Sequence, residues 1–538
     1  MGRGSGPPEE RNDHAAIADG RPPVSAATIL VNEAAVATAA PEGRPLLDFV
    51  RGELGLVGTK EGCREGDCGA CAVIIGEIVE AADGSPQPRY RAHPSCLAFV
   101  GELAGRHLLT IEGIAAGAEK AGCEQGLSPV MRALLEKNGS QCGFCSPGFV
   151  MSLTAWLLEG SDLSEEGAVK AIDGNLCRCT GYASIRRAAR LLIEEFAELP
   201  RDPVKRIEAL ATRGVVPTSA LAFARGGMRL EASEAGAFDK AGAFEAGPRL
   251  PVGGGSDLAI KTPESLFRTA PRFLRLEEGY RRIWREGDEV SVGAAVSVRD
   301  FFASDLLREA VPGIEAFETR FASTLVRNRA TVGGNVANAS PIADLTPILL
   351  ALGARLVIEG QKGRRETSLE GFFTGYRRID LREGEIIAAF VVPRLGPQGF
   401  FNFEKLSKRD NLDIATVNTA LSLRLSADRS SILEARLSAG GVAPIPLMLG
   451  ATAAFLRDRP IRIETALEAS KIASGEVKPI DDVRGSASYR SEGLERLVLA
   501  HFVALRPELA EGLSVALAAS IRRGGADAAA RGAAGGQR

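Results

Sequence analysis

The sequence predicts a multidomain α+β protein, and three observations carry that expectation. The chain has 538 residues, too many for one hydrophobic core and enough for roughly three or four domains of about 150 residues each. Eight of its nine cysteines fall between Cys63 and Cys179 in two sets of four at ligand-like spacings. From Arg249 onwards, glycine loops alternate with strand-like and helix-like runs.

Apolar residues at 45% and charged residues at 25% are ordinary globular values, and a net charge of −3 gives no field that would draw nucleic acid or an anionic membrane. No run reaches the roughly 18 apolar residues of a membrane span. The start, MGRGSGPPEERNDH, is polar with no apolar core behind it, and Gly6 stands where the myristoylation pattern asks for Ser or Thr. The expected location is the cytoplasm, with no nucleic-acid or membrane partner. Cysteines gathered into x2 and x4 loops favour metal ligation in a reducing compartment over disulfides. Cys123, the ninth, is expected as a small buried apolar residue.

Residues 1–25, rich in Gly, Pro and charge, are expected as a disordered tail. ATILVNEAAVATAA, two apolar runs about Asn32-Glu33, predicts a hairpin, and RPLLDFVRGEL a short helix with Leu46, Leu47, Val50 and Leu54 inward. A β-grasp ferredoxin begins in this way. GCREGDCGACAVII then places Cys63, Cys68 and Cys71 in a loop with Gly62, Gly66 and Gly69, ahead of a strand at Ala72–Ile75, and Cys96 follows after 24 residues. Spacing of x4, then x2, with a distant fourth ligand is that of a plant-type [2Fe–2S] site. The glycines let amides approach cluster sulfides, and such hydrogen bonds raise the reduction potential. A zinc site is the rival, and a structural knuckle fits the distant fourth ligand poorly.

From Ser128 the period becomes helical. SPVMRALLEKNG has a Ser N-cap, Pro at the first helical position and an apolar face of Val130, Leu134 and Leu135, closing at Gly139. Cys142 and Cys145 follow, SPGFVMSLTAWLLEG starts a second helix in the same manner, and SEEGAVKAIDGNLCRCTGY leads through Gly174-Asn175 to Cys177 and Cys179 before ASIRRAARLLIEEFAEL. Four helices therefore carry two cysteine pairs at their ends. Spacing alone suits a four-cysteine zinc site as well as an iron–sulfur cluster; a first cluster beside it favours a second, as the next station of a relay.

KEGCREGDCGACAV, QCGFCSPGFVMS and GNLCRCTGYASI together resemble the paired [2Fe–2S] domains of the molybdenum hydroxylase family. The resemblance covers about 170 residues and implies that Cys63, Cys68, Cys71 and Cys96 hold the ferredoxin-like cluster. It likewise implies that Cys142, Cys145, Cys177 and Cys179 hold the cluster of a four-helix domain.

LPRDPVKRIEALATRG reads as a linker, with the next domain beginning near Val215. RLPVGGGSDLAIK offers a turn whose free amides can form an anion-binding concavity, and it is not the G-x-G-x-x-G of a dinucleotide-binding unit. Gly333-Gly334-Asn335 makes a second glycine loop about 80 residues on, and the two suggest one bound cofactor. Both loops, with EGFFTGYRRIDLREGEIIAAFVVP and FEKLSKRDNLDIATVN, resemble the flavin domain of the same family, in which FAD lies extended between two α+β subdomains of the vanillyl-alcohol-oxidase kind. By position, the resemblance implies that Pro251, Val252, Gly253, Gly254, Gly255, Ser256, Asp257 and Leu258 wrap the pyrophosphate. Phe321, Gly334, Asn335, Ser340 and Asp344 would contact the flavin, ribityl or ribose, and Ile387 and Lys405 would complete the pocket. Without that resemblance, Asp344 reads as a first-turn helix acid and Lys405 as a solvated strand charge.

DIATVNTALSLRLS and ILEARLSAGGVAP alternate as antiparallel strands do, two helical stretches follow, and this part is similar to the family's small α+β flavoprotein C-terminal domain. The tail ADAAARGAAGGQR is of low complexity. The expected division is a tail (1–25), a [2Fe–2S] ferredoxin-like domain (26–107), a helical [2Fe–2S] domain (108–197), a linker (198–214), an FAD-binding domain (215–396), a C-terminal domain (397–515) and a second tail (516–538).

Four histidines in no ligand pattern, and no Ser/His/Asp arrangement, leave no residue expected to act on a substrate carbon. The resemblance implies an oxidoreductase subunit for electron transfer. A partner large subunit, in a two-plus-two heterotetramer, would carry the molybdenum–pterin centre and hydroxylate a purine such as xanthine or hypoxanthine. Electrons would run through the helical-domain cluster, the ferredoxin-like cluster and FAD to NAD+. Two alternatives stand beside this: the same role for an aldehyde or another N-heterocycle, and a stand-alone NADH-linked iron–sulfur flavoprotein reductase. The fused order of domains points away from the carbon monoxide branch, where they are separate subunits.

Overall fold

β1 (Ala27–Val31) and β2 (Ala34–Thr38) pair antiparallel across a turn in which Asn32 takes φ 54°. With β3 (Ala72–Glu80), β4 (Pro86–Pro94) and β5 (His107–Leu109) they form a five-stranded sheet of order β2-β1-β5-β3-β4, parallel only between β1 and β5. This is the expected β-grasp sheet, and β1 and the first half of β3 are apolar on both faces because both are covered. Ile29, Val31, Val73 and Ile75 pack on Leu46, Phe49 and Val50 of the helical segment 46–53. Leu30, Ala72 and Ile74 face the other way, into the core of the helical domain. The computed structural model describes residues 27–81, 84–226, 249–268 and 270–515, so both expected tails lie outside the described residues.

The helical domain is built from Pro129–Glu136, Ser146–Glu159, Glu165–Ala171 and Ala183–Glu195. The Ser128 side chain accepts from Met131 N at 3.3 Å, the N-cap expected of Ser-Pro. Leu135, expected inward, is 59% exposed: Val130, Ala133 and Leu134 fill that face, and Leu135 falls beyond its edge.

Residues 198–214 are not a linker. Asp202 caps a helix at Pro203–Thr212, accepting from Lys205 N at 2.8 Å, and a second helix follows at Thr218–Ala224. Ile207, Leu210, Val215, Val216, Ala220 and Phe223 all pack in the helical-domain core, so Val215 closes that domain where a new one was expected to open. The buried Arg206 ties this addition down by donating to the Pro200 and Leu158 carbonyls at 2.9 and 3.2 Å.

The flavin-domain region has two subdomains. In the first, β6 (Leu250–Val252) runs parallel to β7 (Pro271–Phe273), with helices Leu258–Lys261 and Pro263–Arg268 between them. The second uses β8 (Ile283–Glu286), β9 (Glu289–Gly293), β10 (Arg355–Gly360), β11 (Gly363–Ser368), the short ribbon β12 (Phe373–Gly375) with β13 (Arg378–Ile379), and β14 (Ile386–Pro393). Its antiparallel sheet has the order β11-β10-β14-β9-β8, and Val290, Val292, Leu356, Ile358, Phe390 and Val392 pack against Phe301, Phe302, Leu345 and Ile348 of the covering helices. Finally β15 (Gly399–Leu406), β16 (Val417–Leu425) and β17 (Ser431–Gly440) form an antiparallel sheet under helices Ile463–Gly475 and Ala487–Leu505. The fold class is the multidomain α+β expected. Among the described residues, no helix is long and apolar enough to cross a membrane.

Candidate cofactor sites

Of the first cysteine set, Cys63, Cys68 and Cys71 lie between the helical segment 46–53 and β3, and Cys96 in the turn Ser95–Leu97 that follows β4. The thiols meet in pairs, Cys63 with Cys68 and Cys71 with Cys96. The Glu65 and Asp67 amides each donate to Cys63 Sγ at 3.3 Å, and the Cys63 amide to Cys68 Sγ at 3.4 Å. The hydrogen bond from the Cys68 thiol, helped by these amides, brings Cys63 down to about 5 against the opposing effect of burial. The loop closes this tightly because its glycines allow it. Gly66 and Gly69 take φ +81° and +66°, and a Cβ on Gly69 would fall 2.6 Å from the Gly174 carbonyl.

The second set also pairs. Cys142 and Cys179 approach to 3.7 Å between sulfurs, and Cys145 hydrogen-bonds Cys177, whose Sγ accepts from Thr180 Oγ1 at 3.2 Å. Cys145 sits at the N-cap of Ser146–Glu159, and Tyr182, which caps Ala183–Glu195, accepts the Cys177 amide on its hydroxyl at 3.1 Å. Cys142 and Cys179 are exposed while Cys177 is buried, so this set opens outward.

All nine cysteines are free thiols, and Cys123 is half-buried, not buried as expected, with its thiol toward the Arg213 carbonyl. Among the described residues, no three His, Cys, Asp or Glu side chains gather as ligands of a single ion. A [2Fe–2S] cluster takes four thiolates, two on each iron, and two neighbouring pairs supply them.

The structure brings the two glycine loops together. Gly254 N and Gly334 N both donate to Thr331 Oγ1, at 3.3 and 3.1 Å, the second as the N-cap of helix Val332–Ala337. A Cβ on Gly253 would fall 2.6 Å from Thr331 Oγ1 and one on Gly254 2.3 Å from the Arg329 carbonyl, while Gly255 takes φ +68°. Asn338 Nδ2 donates to Asp257 Oδ1 at 3.1 Å, closing the first loop on the helix of the second. Beside them Asn335 Oδ1 is buried with no hydrogen-bond partner, an acceptor left over for a ligand's donor. The Gly254 amide, expected free, is thus taken by Thr331, as is that of Gly334; what suits a pyrophosphate is the close backbone approach allowed by loops that admit only hydrogen at Cα.

The remaining expected residues lie on separate elements, of which only Asp344 and Lys405 are in contact with each other among the described hydrogen bonds. Phe321 ends the turn Ile314–Arg320, Ser340 accepts the Ile342 amide at 3.4 Å, and Ile387 lies in β14 opposite Ile358. Asp344 starts helix Leu345–Ala351, and burial raises its pKa against the pull of Lys405. Lys405 is not a solvated strand charge. Its ammonium is buried and donates to Asp344 Oδ2, the Arg320 carbonyl and the Asp413 carbonyl at 2.7, 2.7 and 2.8 Å. Three donors on three protein acceptors make Lys405 a brace for Asp344. The charges that join the domains, Asp173 with Arg327 and Glu102 with Arg329, were not legible in the sequence.

Four family models match the chain in succession. The 2Fe-2S iron-sulfur cluster binding domain covers 29–101, the [2Fe-2S] binding domain 110–190, the FAD binding domain in molybdopterin dehydrogenase 241–395, and the CO dehydrogenase flavoprotein C-terminal domain 403–504. This is a molybdenum hydroxylase iron–sulfur and flavin chain. Its relatives include the xanthine dehydrogenase of Drosophila subobscura, 28% identical across 87% of this chain and 38% of that protein. The xanthine dehydrogenase of Blastobotrys adeninivorans is 30% identical across 79% of this chain and 36% of that protein. Among solved structures, a carbon monoxide dehydrogenase of Hydrogenophaga pseudoflava matches 47% of this chain and 88% of its own at 27% identity and a TM-score of 0.44. The molybdenum hydroxylase chain thus spans under two fifths of these curated relatives.

Proposed function

We propose that the chain is the electron-transfer subunit of a xanthine dehydrogenase, linking a partner's molybdenum–pterin centre to NAD+ while xanthine or hypoxanthine is hydroxylated. The observation that carries this is the run of xanthine dehydrogenases from a fly, a yeast and a plant, aligned over 87%, 79% and 82% of the chain. In this reading Cys63, Cys68, Cys71 and Cys96 hold one [2Fe–2S] cluster, and Cys142, Cys145, Cys177 and Cys179 the other. Pro251 to Leu258 wrap the FAD pyrophosphate, Gly334 and Asn335 face it from the second loop, and Phe321, Ser340, Asp344 and Ile387 line the rest, with Lys405 bracing Asp344. When bound, the clusters carry single electrons and the flavin a pair, so the chain joins one-electron to hydride chemistry.

The chain's own residues orient and shield. Amides on Cys63 Sγ favour the thiolate that ligation needs, and burial of Cys71 and Cys96 excludes water from that end of the site. We place residues 198–224 with the helical domain and the opening of the flavin region after them. The partner would be a large molybdenum-bearing chain in a two-plus-two assembly in the cytoplasm.

Purification from the native host tests the reading. The expected result is a complex with a larger molybdenum-containing chain that reduces NAD+ when given xanthine. A complex that turns over an aldehyde and ignores xanthine would move the chain to a sister hydroxylase. An active NADH-linked flavoprotein with no such partner would make it a stand-alone reductase.

A further inference from the structure

One short segment, Phe321–Thr331, packs against residues that adjoin both cysteine sets and against both glycine loops. Toward the helical domain, a Cβ on Gly174 would fall 2.6 Å from Ser323 Oγ. Thr324 N donates to Asp173 Oδ1 and Arg327 to Asp173 Oδ2, each at 2.7 Å, four residues before Cys177. Toward the ferredoxin-like domain, Asn328 Nδ2 donates to the Ala92 carbonyl at 2.8 Å. Arg329 donates to Glu102 Oε2 at 2.5 Å and lies 5.3 Å over the Phe99 ring, three residues after Cys96. Toward the flavin loop, the Arg329 carbonyl closes on Gly254 and the Phe99 ring on Gly255, each too near for a Cβ.

Arg327 and Arg329 are among the largest fully buried side chains of the protein, and each is paired with an acid from a different domain. Burying ions is costly, and well-packed apolar residues commonly give equal or greater stability. What a buried guanidinium adds is direction: planar, charge-assisted hydrogen bonds fix the angle and separation of the parts they join. Passage of an electron between two centres slows steeply as they separate, so fixing that separation is a functional matter.

We propose that Arg329, held by Glu102 and seated on Phe99, is a positioning residue that sets the ferredoxin-like cluster against the flavin loop, while Arg327 on Asp173 fixes the same segment to the other cysteine set. This rests on the cluster and flavin assignments above. The segment is a strap across three sites and lends no ligand to the clusters. With one cluster held by Cys63, Cys68, Cys71 and Cys96 and the other by Cys142, Cys145, Cys177 and Cys179, the two would supply one electron each, and solvent one proton, for the reduction of one NAD+ by way of the flavin.

The test uses the complete complex with Arg329→Met, in which Arg275, 3.8 Å from Glu102, keeps that acid accompanied, and with Arg329→Lys, which keeps charge but not the planar group over Phe99. Iron and FAD per chain and the cluster potentials are measured first, and are expected to match the wild type. The reduced complex is then mixed with NAD+ and reoxidation followed in the long-wavelength absorbance of the clusters. Arg329→Met is expected to reoxidise at least about tenfold more slowly, with Arg329→Lys between it and the wild type, and to release FAD faster as read by flavin fluorescence. If Arg329→Met keeps both cofactors and reoxidises at the wild-type rate, the strap is refuted, even where its melting temperature falls. Should Arg329→Met not fold, the paired variant E102Q/R329M is read by the same two outcomes. Wild-type complex without iron or flavin would overturn the assignments themselves, and the strap with them.

Discussion

The Leu176 amide donates to the Cys68 carbonyl at 3.0 Å. Cys68 belongs to the first cysteine set and Cys177 adjoins Leu176, so one backbone hydrogen bond joins the two sets. Asn175 reinforces it, donating from Nδ2 to the Gly69 carbonyl at 3.3 Å and accepting Ser152 Oγ at 2.8 Å, all of them buried. Asn175→Ala leaves the buried Ser152 hydroxyl without its partner and the Gly69 carbonyl with the Ala72 amide alone. The expected cost is about 1–3 kcal/mol, read as a lowered unfolding temperature of the iron-loaded protein; no change would mean the loops hold together by other means.

Each cysteine set is expected to lose its own cluster independently. Cys96→Ser and Cys177→Ser should each bring iron from about four per chain to about two, with the flavin retained. Iron and sulfide analysis checks this, and loss of all iron from either variant would contradict two separate sites.

Gly254→Ala places a methyl 2.3 Å from the Arg329 carbonyl, a backbone atom with little room to yield. FAD should be lost while iron stays. Gly279→Ala is the control, since nothing lies within 4 Å of the added methyl. Flavin absorbance after gel filtration distinguishes them, and a flavin-replete Gly254→Ala would show that this loop does not carry the pyrophosphate.

His501 predicts acid sensitivity. It is fully buried, with Nδ1 on Asn402 and Nε2 on Thr419 at 2.8 and 2.9 Å, and burial lowers its pKa from 6.5 to about 4 despite Glu404 nearby. A folded pKa below the unfolded one means that the unfolded chain binds the proton first. Stability is therefore intact above the unfolded value and is lost as pH falls toward 4, by about 3 kcal/mol in all. Unfolding followed across that range should be less acid-sensitive in His501→Gln than in the wild type; identical slopes would place the sensitivity elsewhere, with His107 the next to examine, since burial lowers it to about 4 as well.

What was legible in the sequence is what local chemistry decides. Asn32 between apolar runs marks the first hairpin, Ser128-Pro129 starts a helix, and the cysteine and glycine spacings mark both kinds of site, because each signal lies within a few residues of its consequence. The helix at Pro203–Thr212 carried its signal too, in Asp202-Pro203 and the spacing of Ile207, Leu210 and Ala211, but its charges and prolines resembled a linker. Arg327 and Arg329 could not be read at all. Their acids lie 154 and 227 residues away in the chain, and only the packed domains bring them together.

The proposed function requires two [2Fe–2S] clusters and one FAD on this chain, set between a molybdenum partner and NAD+. The most direct measurement is iron, sulfide, flavin and molybdenum per copy of the chain, on protein purified from its native host. The account predicts about four irons with matching sulfide and one FAD, and molybdenum on a larger chain that travels with it. Zinc in place of iron, or iron and flavin with no molybdenum-bearing companion, would contradict it.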